Sequence, residues 1–211
     1  MTSAADDKVP GALIEWGVAA RTMAGCAESG DHYLIESFPD GVLVVVIDGL
    51  GHGDGAASVA KTAVAALEGH GRESVEHLLG RCHKKLSGTR GVVMSLASFR
   101  AQEGTMTWVG VGNVVGFLLR AHARAGRPRE VLLPRGGVVG YRLPTLYPVV
   151  VSIAPGDTLL FATDGVRSSF TDGLTSHGSP QQIADRVLSS HMRGTDDALV
   201  LVARYIGPTG G

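Results

Sequence analysis

Short aliphatic runs separated by glycine-containing turns follow one another along most of the chain, a pattern typical of β-strands. The runs predict ten strands: Ala12–Val18, His32–Glu36, Val42–Ile47, Val92–Phe99, Thr105–Val109, Val114–Arg120, Glu130–Leu133, Tyr147–Val151, Thr158–Ala162 and Ala198–Tyr205. The chain of 211 residues contains 30 glycines, about twice the usual ~7%. This abundance agrees with a fold that has many tight turns or close backbone approaches.

Three further segments have the pattern of helices. Ala56–Leu67 is rich in alanine and follows a glycine loop, and Glu73–Leu86 repeats its apolar residues on one helical face. A third helix is predicted to begin after Ser179, because serine is a good N-cap and Pro180 suits the first helical position. Because the strands are consecutive rather than alternating with helices, we predict an α+β fold. Its two stacked, mostly antiparallel sheets would be covered by helices on their outer faces.

Length and composition predict a single globular domain. Apolar residues make up 44% of the chain and charged residues 18%, so the chain can bury a core and is not typical of disorder. We predict one domain at residues 11–206, with flexible tails at residues 1–10 and 207–211.

The charge balance and the hydropathy pattern argue against nucleic-acid and membrane partners. The formal net charge is −1, which provides no basic surface for nucleic acid or anionic lipid. The longest aliphatic run, Val42–Ile47, is far shorter than the ~20 residues that cross a bilayer. Two cysteines do not make a disulfide framework, which favours a reducing compartment. We therefore predict a cytoplasmic protein.

Acidic residues stand at the ends of three predicted strands. Two strands run into an Asp-Gly pair, at Asp48–Gly49 and Asp164–Gly165, and Asp196–Asp197 directly precedes the last strand. Because strand ends and strand starts lie side by side in an antiparallel sheet, the carboxylates could converge on one sheet edge. Carboxylates so close resist ionisation unless cations lie between them, and oxygen ligands favour Mg²⁺ or Mn²⁺.

Each of these motifs also has a simpler interpretation. Asp-Gly after a strand is an ordinary turn signal, and an acidic pair before a strand is often a solvated loop. The glycine loop at Gly49–Gly55 could instead bind a nucleotide. It lacks, however, the glycine of a P-loop before Lys61, and the acidic residue at dinucleotide-motif distance, Glu68, ends a predicted helix.

Taken together, the motifs resemble those of the metal-dependent protein phosphatase (PPM) superfamily, especially its short bacterial branch of RsbX-, SpoIIE- and RsbU-like phosphatases. The matching stretches occur in family order: Ser29-Gly30-Asp31, Val46-Ile47-Asp48-Gly49-Leu50-Gly51-His52-Gly53, Gly110-Val111-Gly112-Asn113, Ala162-Thr163-Asp164-Gly165 and Asp196-Asp197. They extend over nearly the whole chain. The resemblance implies an α-β-β-α sandwich, in which two mostly antiparallel sheets are flanked by helices.

The resemblance also implies a site for two Mn²⁺ or Mg²⁺ ions. Asp48 would bridge the two ions, and the carbonyl oxygen of Gly49 would bind one of them. Asp164 and Asp196 would complete the other site, and Asp31 would act near the second metal. Asp48, Asp164 and Asp196 are accordingly the expected catalytic residues.

Two details of the resemblance concern neighbouring positions. Asp196 rather than Asp197 matches the ligand of the family. The arginine that holds the phosphate in larger eukaryotic members has no counterpart just before Asp31, where Cys26, Ala27 and Glu28 stand.

The function implied by the resemblance is hydrolysis of phosphoserine or phosphothreonine on a protein by a metal-activated water. The implied substrate is a phosphorylated STAS-domain or stressosome protein in a bacterial partner-switching pathway. Two alternatives come from other classes of protein. One is a catalytically silent binding module with the same fold, and the other is a nucleotide-binding protein that uses the glycine loop.

Overall fold

The computed structural model of the chain describes residues 13–124 and 127–208. Residues 1–10 and 209–211 of the predicted tails lie outside the described residues, as does Ala12, the predicted start of the first strand. A single domain at residues 11–206 therefore stays a prediction.

The ten predicted strands form two five-stranded sheets. They are β1 Ile14–Arg21, β2 Asp31–Phe38, β3 Gly41–Gly49, β4 Val92–Arg100, β5 Thr105–Val111, β6 Val115–Arg124, β7 Arg127–Leu132, β8 Val149–Ser152, β9 Thr158–Ala162 and β10 Ala198–Tyr205. The first sheet has the order β1-β10-β9-β6-β7 and the second has the order β2-β3-β4-β5-β8. Neighbouring strands are antiparallel throughout both sheets. The predicted α+β class is confirmed.

In the part of the chain that the structure describes, three α-helices cover the outer faces of the sheets. Helices α1 (Asp54–Leu67) and α2 (Val75–Lys85) pack on the second sheet, and α3 (Pro180–His191) packs on the first. A short 3₁₀ helix, Ser168–Thr171, precedes α3. The order of layers is therefore helix, sheet, sheet, helix, which confirms the α-β-β-α sandwich. None of the helices in the described ranges is long and apolar enough to cross a membrane.

Strand β3 shows how the hydrophobic pattern produces these layers. Its aliphatic run is continuous rather than alternating because the strand is covered on both faces. One face contributes to the core between the sheets and the other to the core beneath α1 and α2: Val42, Val44 and Val46 on the first, and Leu43, Val45 and Ile47 on the second. The strand that ends at Asp48 and Gly49 is thus among the most deeply buried of the described strands.

Some element boundaries differ from the prediction for local chemical reasons. Helix α2 begins at Val75 instead of Glu73 because the Ser74 side chain accepts a hydrogen bond from the His77 amide at 3.3 Å and caps the helix. Strand β8 begins at Val149 instead of Tyr147, since Pro148 has no amide hydrogen to donate to a neighbouring strand. The third helix begins as predicted, with a capping box formed by Ser179.

Candidate metal centre

Two of the predicted site residues face each other at one end of the second sheet. Strand β2 begins at Asp31 and β3 ends with Asp48–Gly49, and the antiparallel register pairs Asp31 with Asp48. Directly opposed residues on antiparallel strands have Cβ atoms about 5 Å apart. Two carboxylates are therefore placed side by side by backbone hydrogen bonding alone.

The first sheet contributes the other two carboxylates. Asp164 follows the end of β9, and Asp196 precedes the start of β10, the antiparallel neighbour of β9. The charges of both side chains act on Asp48. The four carboxylates thus form one cluster, which we call the acidic cluster: Asp31, Asp48, Asp164 and Asp196. The expectation that they share the edge of one sheet is wrong, because stacking of the two sheets brings Asp48 to the end of the other.

Burial and mutual repulsion raise the pKa values of three carboxyl groups of the acidic cluster, those of Asp31, Asp48 and Asp164. Burial, followed by the charge of Asp31 and of the other carboxylates, raises the pKa of Asp48 to about 8. Burial likewise raises the pKa of Asp31 to about 7, although the Thr163 hydroxyl opposes this effect. Partial burial and the charge of Asp196 also raise the pKa of Asp164. Such shifts are expected where carboxylates are gathered without cations between them.

Gly49 is a glycine because the backbone of α1 passes very close to it. A Cβ atom built at Gly49 would lie 2.3 Å from the carbonyl oxygen of Ala56, so any larger residue would push α1 away. The Gly49 amide donates to the carbonyl of Gly30 at 3.0 Å, which ties the end of β3 to the residue before Asp31. Gly49 therefore packs against the first turns of α1 and at the same time ties the end of β3 to the start of β2.

Asp197 has a structural role that the sequence did not indicate. Its side chain is buried, with 4% of its surface exposed, and accepts hydrogen bonds from the amides of Met23 and Gly30, both at 2.7 Å. These bonds hold the segment that leads into Asp31. Asp196 is more exposed and accepts a hydrogen bond from the Asp197 amide at 2.9 Å. The choice of Asp196 rather than Asp197 as the candidate ligand stays a prediction.

Two more polar residues orient the acidic cluster. The Thr163 hydroxyl donates to a carboxylate oxygen of Asp31 at 2.7 Å and accepts from the Leu199 amide at 2.9 Å, so it links the two sheets. The Asn113 side-chain amide donates to Asp164 at 2.7 Å. Both residues lie in matching stretches, but no role had been assigned to them. The position of Thr163, a polar residue at the end of an aliphatic strand, is the sequence feature that could have indicated its role.

His52, the histidine of the glycine loop, is exposed between β3 and α1. Cys82 is fully buried in the core beneath α1 and α2, with its thiol 3.7 Å from the carbonyl oxygen of Ala63 in α1.

The donor set of the acidic cluster fits hydrated hard cations. In residues 13–124 and 127–208, no three Asp, Glu, His or Cys side chains form a ready-made cage for one ion, and no lysine or arginine forms a salt bridge with the cluster. Mg²⁺ usually keeps several waters and takes only one or two carboxylates from a protein. Clustered carboxylates with raised pKa values and no salt-bridge partner among the described residues are compatible with such ions, whose charge would favour the ionised forms.

In the absence of metal ions, we expect stability to fall as the pH rises from about 4 to about 8. The pKa values of Asp31 and Asp48 are raised to about 7 and about 8, from 3.8, by burial and neighbouring charges. The folded state therefore binds more protons than the unfolded state in this window. This contribution to stability is complete below the unfolded pKa and is lost as the pH passes the folded pKa.

The check is urea unfolding in chelator at several pH values, for the wild type and the Asp48→Asn variant, which lacks one of these carboxyl groups. The wild type should lose stability relative to the variant as the pH rises. Parallel pH profiles for the two proteins would contradict the raised pKa of Asp48.

Comparison with known proteins agrees with the fold. The family model described as Stage II sporulation protein E (SpoIIE) matches residues 39–206. A chain solved in work on the bacterial stressosome is 27% identical, with a TM-score of 0.81 over 90% of this chain and 99% of that chain. RsbX, crystallised in complex with magnesium, is 20% identical, with a TM-score of 0.81 over 91% of this chain and 95% of RsbX.

The PP2C phosphatase domain of SpoIIE from Bacillus subtilis, solved with a fragment of its regulatory domain, is also similar. It is 19% identical, with a TM-score of 0.74 over 93% of this chain and 64% of that chain. The fold is therefore that of the PP2C-type, or PPM, phosphatases. Because the family model covers most of the sequence, this chain belongs to the SpoIIE family, and the resemblance to the RsbX-, SpoIIE- and RsbU-like branch is confirmed.

Proposed function

We propose that this protein is a metal-dependent serine/threonine phosphoprotein phosphatase. The observation that supports the proposal most strongly is the acidic cluster, which unites carboxylates from the ends of both sheets. Membership of the SpoIIE family supports the same class of reaction. Carboxylates held together in partly buried positions are costly without cations, which makes a purely structural role for the cluster unfavourable.

In this proposal each residue of the centre has a distinct task. Asp48 would hold both ions, the Gly49 carbonyl oxygen would be a ligand of one of them, and Asp164 and Asp196 would be ligands of the other. Asp31 acts beside the second ion. Bound Mn²⁺ or Mg²⁺ supplies Lewis acidity, which lowers the pKa of water and offsets the charge of the phosphoryl oxygens.

The remaining residues keep the carboxylates in position. Thr163 holds Asp31 through its hydroxyl, and Asn113 holds Asp164 through its side-chain amide. Asp197 fixes the segment before Asp31 by accepting two backbone hydrogen bonds. Preorganised groups of this kind do not have to reorient during the reaction, and this is a large part of their value in catalysis.

We propose a phosphorylated STAS-domain or stressosome protein as the substrate. The chain from the bacterial stressosome work and RsbX, two of the similar structures, support this substrate class. The proposal also places the reaction in the cytoplasm, within a single domain at residues 11–206.

The experiment that tests the proposed function is release of phosphate from a phosphoserine peptide in Mn²⁺, with and without chelator. We expect release in Mn²⁺ and none in excess chelator. The control is Asp185→Asn, which alters an exposed carboxylate on α3 that contacts Gln181 and should leave the rate unchanged. A folded chain that releases no phosphate in Mn²⁺ from this peptide or from a folded phosphoprotein would favour the silent binding module.

We further expect a folded phosphorylated STAS-type protein to be a better substrate than a short phosphopeptide of the same local sequence. The sequence just before Asp31 contains no arginine, so we expect contacts remote from the reacting group to contribute much of the positioning of the substrate. The measurement is kcat/KM in saturating Mn²⁺ for the folded protein, the peptide and p-nitrophenyl phosphate. Equal values for the folded protein and the peptide would contradict docking but not phosphatase chemistry.

A further inference from the structure

Arg90 stands at the same end of the second sheet as Asp48 and Gly49. It is two residues before β4, the neighbour of β3, and the register pairs Asp48 with Val93. The pairing continues past the strand end, where the Leu50 amide donates to the Gly91 carbonyl at 3.2 Å. The backbone therefore places Arg90 beside the loop that follows Asp48 and Gly49.

The guanidinium of Arg90 is seated against this loop. Its Nη1 donates to the carbonyl oxygen of Leu50 at 3.1 Å. A Cβ built at Gly51 would lie 2.6 Å from Nη1, and one built at Gly55 would lie 2.8 Å from Nη2. The guanidinium thus occupies space that only glycines at both positions leave open.

Among the described residues, Arg90 forms no salt bridge with a carboxylate. Arg90 is exposed, and within the described ranges it forms no salt bridge and no side-chain hydrogen bond besides that to Leu50. Arginine stays charged and presents five N–H donors in a planar fork that suits phosphate oxygens. Several of these donors remain available beside the loop that follows Asp48 and Gly49.

Arg193 is close enough to Asp164 for its charge to act on that carboxyl, where it opposes the rise in pKa caused by burial and by Asp196. The Arg193 amide also donates to the Gly165 carbonyl at 2.8 Å, which makes its backbone part of the frame around Asp164. The charge of Arg90, in contrast, is not among those that shift the pKa values of Asp31, Asp48 and Asp164. The geometry therefore favours Arg90 as the residue that meets an incoming anion.

We propose that Arg90 binds the phosphoryl oxygens of the substrate, and that Gly51 and Gly55 provide the seat that orients its guanidinium. The proposal rests on the proposed function, because the ligand is a phosphate monoester placed at the acidic cluster. It assigns the missing phosphate-binding arginine to a different segment of the chain from the one before Asp31.

The first test compares Arg90→Ala and Arg90→Lys with the wild type. Loss of a charge-assisted contact to phosphate should lower kcat/KM on the order of 10- to 100-fold. The loss should be similar for p-nitrophenyl phosphate and for a phosphopeptide, because the contact is to the group they share. Lysine should restore part of the loss, since it keeps the charge but not the fork.

Binding of inorganic phosphate gives a readout that does not depend on turnover. Calorimetric titration of phosphate into the Mn²⁺-loaded protein should give a dissociation constant on the order of tenfold or more higher for Arg90→Ala. The matched control is Arg186→Ala, which removes an arginine on α3 that also donates to a backbone carbonyl, that of His177. This control should leave both kcat/KM and phosphate binding unchanged.

The second test moves the guanidinium without removing it. Gly55→Ala places a methyl group against Nη2 within the first turn of α1, and the flexible arginine can yield more easily than the backbone. Gly80→Ala is the control, because a Cβ there meets nothing within 4 Å on helix α2. Gly55→Ala should weaken phosphate binding although alanine favours helix, whereas Gly80→Ala should not.

The outcomes separate this proposal from the proposed function. A folded wild type without metal-dependent phosphatase activity would refute the proposed function. An active wild type whose Arg90 variants keep kcat/KM and phosphate affinity would refute only the role of Arg90. A loss confined to folded phosphoprotein, with normal phosphate binding, would also overturn it and would place Arg90 in contact with the protein substrate instead.

Discussion

Replacing Asp48 with asparagine is expected to reduce phosphate release by at least ~10²–10³-fold, the scale observed when one preorganised charge-stabilising contact is lost. Asparagine keeps the size of the side chain but removes the charge from the position proposed to lie between the two ions. The same change should leave metal-free stability near neutral pH unchanged or higher. The reason is that burial and repulsion, which raise the pKa of Asp48 to about 8, make its ionised form costly.

Steady-state phosphate release and thermal unfolding in chelator measure these two effects on the same protein. Their combination is informative, because a variant that merely unfolds would lose both activity and stability. Asp185→Asn on α3 is the control for removing an acidic side chain outside the centre. Near-normal turnover in Asp48→Asn would refute the two-metal proposal.

The neighbours Asp196 and Asp197 should respond in opposite ways to the same substitution. Asp197→Asn should lower the free energy of unfolding by about 1.5–3 kcal/mol, because asparagine has one acceptor oxygen for the two amides that Asp197 binds. Asp196→Asn should change metal-free stability little. It should instead reduce the stabilisation by Mn²⁺, which for the wild type is ~2.7 kcal/mol at a hundredfold excess over the dissociation constant.

Thermal unfolding with and without Mn²⁺ separates the two effects. Asp164→Asn should behave like Asp196→Asn, since both residues are assigned to the same ion. If Asp197→Asn removed more of the Mn²⁺ response than Asp196→Asn, the assignment of the ligand would be wrong and Asp197 would have to be the ligand.

The fold could be predicted from sequence because its signals are local. The uninterrupted run of β3 predicts a strand covered on both faces, and Ser179 followed by Pro180 predicts the start of α3. Predicted helix boundaries were wrong where one side chain fixes the end of the element, as the Ser74 cap does for the start of α2. Pattern alone cannot weigh one capping bond against one further turn of helix.

The sequence identified the residues of the candidate centre but not the way in which the two sheets bring them together. Asp48 and Asp164 were recognisable because each follows an aliphatic strand, but they come from different sheets, and their proximity depends on how the sheets stack. Asp31 was identified only through family resemblance, since its pairing with Asp48 depends on the register of β2 and β3. Sequence spacing carries no direct information on contacts between sheets.

The supporting residues were the least predictable part of the site. Asp196 and Asp197 are chemically identical neighbours, and only the path of the chain before β10 decides which one turns inward to the amides of Met23 and Gly30. The contact of the Arg90 guanidinium with Gly51 and Gly55 could likewise not be predicted, because these glycines lie at least 35 residues earlier in the chain. Both contacts are long-range consequences of the fold.

Titration of Mn²⁺ into the metal-free protein, with heat and phosphate release followed in parallel, tests the central claim most directly. The account predicts two bound ions per chain in the wild type, phosphate release that appears as the sites fill, and loss of release when chelator is added. In Asp48→Asn both binding and release should be strongly reduced. Phosphate release that persists in excess chelator, or a folded wild type that binds no Mn²⁺, would contradict it.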